Sequence, residues 1–184
     1  MRYFVGFLVT IGLIIILILL LFSGGGKPKV PKTSKTLDSY ASTDAEVRLT
    51  IDGPVNAAES HQAVRITIGQ SDATFELLQG YNGSVVNSES FANTQNSYAV
   101  FLSSLARAGF TKGNTNADLK DERGYCPLGD RYIFELRQDG HDIERYWATS
   151  CGGVKTYAGS LNLTVQLFQN QIPGYEVLTH AFQL

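Results

Sequence analysis

RYIFELRQ (131–138), DGH (139–141) and DIERYWATS (142–150) decide how this chain folds. The outer two segments are rich in β-branched and aromatic residues, and the Asp-Gly pair between them favours the positive backbone angles of a tight hairpin turn. A three-residue loop sets Glu135 opposite Arg145, Phe134 opposite Tyr146 and Ile133 opposite Trp147, each a favourable cross-strand pair. Cys126 and Cys151, the only two cysteines, then fall at the open end of the hairpin, three positions out of strict register. Pro127, Gly129, Gly152 and Gly153 let the chain bend there, so the Cα atoms can reach the roughly 4.4–6.8 Å that a disulfide requires. The expectation is a disulfide that staples the hairpin, which implies an oxidising compartment. The alternative, two buried free thiols, suits these Gly- and Pro-rich surroundings less well.

The two faces of this hairpin read differently. Tyr132, Phe134, Leu136, Tyr146 and Ala148 form an apolar face suited to a core. Arg131, Ile133, Glu135, Arg137, Arg145 and Trp147 form the other. A Trp among arginines makes Arg131, Arg137, Arg145 and Trp147 a candidate binding surface, because Trp and Arg are enriched among interface anchors. The competing and commoner use of such a face is an ion-pair and cation–π ladder that only stabilises the sheet.

Working outward, Val47, Leu49 and Ile51 alternate with polar residues up to Gly53-Pro54, the pattern of a half-buried strand. Val64, Ile66 and Ile68 repeat it, and after a turn at Gln70-Ser71-Asp72 the residues Phe75 and Leu77 complete a second hairpin over 63–79. Tyr98, Phe101, Leu102, Leu105 and Ala108 recur at helical spacing, with Asn93 or Thr94 as N-cap and Gly109 as stop. A second helical stripe, Leu161, Val165, Phe168 and Ile172, starts at Ser160 and stops at Pro173-Gly174. The hairpins begin near 63 and 131 and the helices near 94 and 161, nearly equal offsets, so two β-β-α units are one topological option. Residues 175–184 alternate as a closing strand would. The fold expected is α+β, an antiparallel sheet with two helices on one face.

Phe4 to Phe22 contain no charged side chain and only Thr10 as a polar one. At ~1.5 Å per residue this run reaches roughly 28 Å, close to the hydrocarbon thickness of a bilayer. It reads as an uncleaved transmembrane signal anchor over residues 1–22; a cleaved secretory signal, usually shorter in its apolar part, is the alternative. Residues 23–44, rich in Gly, Lys, Pro and Ser, read as a flexible tether, and 45–184 as the globular domain. Lys27, Lys29, Lys32 and Lys35 follow the span, and by the charge rule they favour a cytoplasmic domain. The expected disulfide favours the extracytoplasmic side, and we give it the greater weight.

From Ala45 onward the sequence holds ten basic and fifteen acidic side chains, which gives no electrostatic footprint for nucleic acid. No metal or cofactor is expected. His61, His141 and His180 are far apart, lack ligand spacing and each read as a surface or turn residue. Asp118, Asp121 and Glu122 lack calcium-loop spacing. Phosphate-loop and nucleophile-elbow motifs are missing too, and no catalytic residue is assigned.

Gly80-Tyr81, the segment from Tyr98 to Phe110, Gly124-Tyr125-Cys126-Pro127, the segment from Trp147 to Cys151, and Leu167 to Pro173 resemble signal-anchored proteins of unknown function from small-genome bacteria. The resemblance covers most of residues 46–184. It implies a cell-surface location and assigns no activity, so it carries over no functional residue. The expectation is therefore a membrane-tethered extracytoplasmic binding or interaction module, with the lipid bilayer and an unidentified protein or envelope ligand as partners. A small envelope hydrolase and a cytoplasmic-face anchored domain are the alternatives.

Overall fold

A computed structural model describes residues 35–180. The span expected over Phe4–Phe22, most of the tether and residues 181–184 lie outside the described residues. Among the described residues no helix is long and apolar enough to cross a membrane.

The domain is α+β, built on a six-stranded antiparallel sheet of order β4-β3-β2-β1-β5-β6. β1 (Glu46–Asp52) lies at its centre and pairs with β2 (Gln62–Ile68) on one side and β5 (Arg131–Gln138) on the other. Its alternation explains the layering. Val47, Leu49 and Ile51 are buried toward the helices, while Glu46, Arg48, Thr50 and Asp52 face the other way and are half-buried. β3 (Asp72–Gln79) returns from β2 as expected, through the 69–72 turn, where Gly69 N donates to Asp72 O at 2.8 Å.

The decisive hairpin, β5 with β6 (His141–Thr149), has the expected register, Ile133 opposite Trp147, Phe134 opposite Tyr146 and Glu135 opposite Arg145. The loop differs in detail. Asp139 and Gly140 alone make the turn, both at positive φ (53° and 77°) as a type I′ turn demands. The third loop residue is taken up by a bulge beside Leu136/Arg137.

Helix α1 (Gln95–Ala108) starts where Thr94 Oγ1 accepts from Ser97 N and ends at Gly109, whose φ of 85° is the left-handed cap. Helix α2 (Leu161–Gln169) packs beside it through the edge-to-face pair Phe101–Phe168, ring centroids 5.3 Å apart. Phe110 links both to the sheet through Phe134 and Phe168. Tyr98, fully buried, donates its hydroxyl to Ala45 O at 2.7 Å and ties α1 to the entrance of β1.

Four expectations need correction. Tyr175–Thr179 is a short helix, α3, not a closing strand: Gly174 and Pro173 stop α2, and both edges of the sheet are supplied by other strands. β4 (Ser84–Ala92) follows β3 unannounced, because an edge strand with little to bury shows no apolar alternation. It makes the segment from β2 to α1 β-β-β-α, so two equal β-β-α units are not present. The tether is shorter than expected, since Leu37 and Tyr40 sit on a 3₁₀ turn and are buried in the core; two lone apolar residues among Ser, Thr and Lys make no periodic signal.

Phe168 has neighbours from α1, from Phe110 and from the core, and is fully buried. Phe168→Ala is expected to lower stability by about 3–5 kcal/mol, read from urea denaturation. Glu144, on the helix-side face of edge strand β6, has a buried Oε2 without a hydrogen-bond partner, and burial raises its carboxyl above the usual carboxylate range. The folded state thus disfavours the ionised form, a penalty fully present above the raised value and absent once pH falls below the unfolded one. Glu144→Gln should stabilise the domain at neutral pH, and the advantage should vanish in acid; a gain that persists unchanged at pH 3 would contradict this.

Candidate functional site

On the face away from the helices, strand register brings together residues that are remote in sequence. Asp52 ends β1 and Arg131 begins β5 directly opposite it. Arg131 donates to Asp52 Oδ2 through Nε at 2.8 Å and through Nη2 at 2.7 Å, and Nη2 also donates to Gly53 O. His61, just before β2, places Nε2 2.8 Å from Asp52 Oδ1 and Nδ1 3.2 Å from Pro54 O. A carbonyl and a carboxylate both accept, so both contacts become hydrogen bonds together only for the doubly protonated ring; the neutral ring makes one.

Tyr81, on the turn after β3, stacks on His61 with ring centroids 4.1 Å apart and planes 15° from parallel. Its hydroxyl donates to Asn56 O at 2.7 Å and accepts from Asn56 N at 3.1 Å. The 53–61 loop is thereby pinned from beneath by His61 and from outside by Tyr81. Val55 N donates to Pro127 O, which joins this loop to the segment carrying Cys126.

That segment, residues 113–130, is a strap across the outer face of β5 and β6. Trp147 Nε1 donates to Leu119 O at 2.7 Å, and the Tyr125 ring lies 5.0 Å from the Trp147 ring. Arg145 Nη2 donates to both carboxylate oxygens of Glu122 at 2.7–2.8 Å, and Nη1 donates to Lys120 O. The Cys126–Cys151 disulfide, with Cα atoms 5.7 Å apart, closes its far end. Asp130 and Ser150 clip the same end, Asp130 N donating to Ser150 Oγ and Ser150 N to Asp130 O.

Between loop and strap lies a groove of about 460 Å³. Its floor is Thr50, Asp52, Ala63 and Leu78; Val55 and Tyr81 form one wall and Glu122 to Gly124 the other. Val55 and Tyr81 are each about half exposed, so one wall is apolar; the other carries the exposed Arg123, and the floor holds the fixed Asp52–Arg131–His61 group.

The four residues expected as a binding surface do not form one. Trp147 is 1% exposed beneath the strap and Arg131 3% exposed in the floor network. Arg145 is held by Glu122, and Arg137 by Asp142 (2.8 Å), Glu46 (3.1 Å) and Gly140 O. The face is the ion-pair ladder of the alternative reading, extended across the sheet by Arg48–Glu46 and Arg65–Glu76. Burial raises the carboxyl of Glu135 at its centre, and Asp142 adds to this against the pull of Arg48, Arg145 and Arg137. His141 and His180 are exposed as expected, but His61 is buried, contrary to expectation. Asp52, His61 and Tyr81 have no sequence motif in common; the pairing of β1 with β2 and of β2 with β3 assembles them.

The Asp52–His61 pair has the form of a carboxylate orienting an imidazole, yet its ring nitrogens face Asp52 Oδ1 and Pro54 O and neither contacts a Ser, Thr or Cys that it could activate. Among the described residues no group of three His, Cys, Asp or Glu side chains could hold a metal ion. What the arrangement supplies is a stiff floor between an apolar wall and a charged one. Asp52→Ala strands the buried Arg131 guanidinium and should cost about 3–5 kcal/mol in chemical denaturation, whereas Arg123→Ala, at an exposed position on the groove wall, should stay within about 0.5 kcal/mol.

No family model matches the chain, and no curated protein matches its sequence.

Proposed function

We propose that this protein is a membrane-tethered binding module. In this reading residues 1–22 anchor the chain in the bilayer, the disulfide-closed domain lies on the extracytoplasmic side, and the groove between Tyr81 and the strap holds a protein or envelope ligand. The observation that carries the reading is the wall formed by a strap that Cys126–Cys151 closes. A disulfide persists in oxidising compartments, and the groove it helps to shape has one apolar wall, one charged wall and a fixed floor. The uncharged run Phe4–Phe22 supplies the anchor. The ligand best suited to the apolar wall presents an apolar or planar group to Tyr81 and Val55.

Intact cells expressing the full chain should give no labelling with a membrane-impermeant maleimide, and labelling of both cysteines once an impermeant reductant is added. Thiols that react without reductant, or only after permeabilisation, would overturn the placement. For the groove, envelope extract passed over the full chain in nanodiscs should leave a bound molecule whose retention falls at least tenfold with Tyr81→Ala and is unchanged with Val177→Ala, on the exposed face of α3. Equal retention by both variants would sink the groove assignment.

A further inference from the structure

The two edges of the sheet are treated differently. On β6 the outer side is covered near Trp147, whose carbonyl accepts from Thr156 N at 3.0 Å and Tyr157 N at 2.9 Å and whose N donates to Thr156 Oγ1 at 2.8 Å. The rest of β6 carries Asp142, Glu144 and Arg145, charges of the kind that discourage pairing. β4 has neither protection. Among the described residues it pairs only with β3. Its nine residues include one charge, Glu89, and no Lys or Pro. Val85 and Val86 are about half exposed. The bulge beside Leu77/Leu78 distorts only the start of β4 and leaves Asn87–Ala92 in regular register.

An open strand edge presents a row of backbone donors and acceptors, met by water in the single chain, that is a ready template for another extended chain. We infer that β4 pairs antiparallel with β4 of a second copy of this chain, about a two-fold axis through Ser88, joining two sheets into one. The strand's own sequence selects that axis. It places Asn87 opposite Glu89 of the second copy on the helix-side face, an amide facing a carboxylate, and Val86 opposite Ser90 on the other face. An axis through Glu89 would set two carboxylates against each other, and one through Ser90 would set Glu89 against Phe91. An axis normal to the sheet makes the contact isologous and keeps both helix layers on the same side. The contact goes beyond the groove and does not depend on it.

The test uses the full chain, purified in detergent and concentrated, under mild oxidation. Ser88→Cys brings two introduced thiols together on the axis and should give a covalent dimer, linked at position 88 by peptide mapping, while Val177→Cys on exposed α3 should not. In the Ser88→Cys background, Asn87→Lys faces Glu89 twice and should raise the dimer association constant roughly two- to twenty-fold, and Asn87→Glu should lower it by a similar factor. Failure of Ser88→Cys to cross-link, equal cross-linking by Val177→Cys, or the same response to Asn87→Lys and Asn87→Glu would each overturn the inference.

Discussion

A slip of β1 by one residue against β5 would turn Val47, Leu49 and Ile51 out of the core and carry Arg48 and Asp52 into it. That constraint governs the molecule. Among the described residues β1 is the only strand hydrogen-bonded to both hairpin systems, and the two lie far apart in sequence. Its apolar residues seat both helices, and its polar residues set the chemistry of the opposite face. Tyr98 reinforces the register from the helix side by bonding Ala45 O just before the strand begins.

The face away from the helices is divided in two by what covers it. Toward one end the charges are half-exposed and answer one another across strands, an arrangement worth little net stability per pair but hostile to wrong pairings. Toward the other end the strap excludes water from Trp147, Ile133 and Arg131. The groove lies at that boundary, where the strap, the 53–61 loop and the turn after β3 meet. Its polar floor is a by-product of register as much as of local sequence: Asp52 faces Arg131 because Leu49 faces Phe134.

Much of this was legible in the residues. The Asp-Gly turn and three favourable cross-strand pairs fix the register of β5 and β6, and that register in turn brings Cys126 close to Cys151. The 3.6-residue stripes of α1 and α2 are strong because each must bury one face against the sheet. β4 and α3 escaped because neither has to bury a continuous stripe, and short segments of that kind carry no period to read. The site escaped for a different reason. A histidine alone in sequence is an ordinary surface residue; His61 becomes a buried one only when β1 delivers Asp52 beneath it and a turn some twenty residues later folds Tyr81 over it.

The chain has a single tryptophan, and its ring lies under the strap with its N–H bonded to Leu119 O. Indole emission is sensitive to water, so the colour of this one fluorophore reports whether the strap is seated. The polypeptide thus carries a built-in optical gauge of its own groove wall, usable without any attached dye and silent toward events on the distant β4 edge.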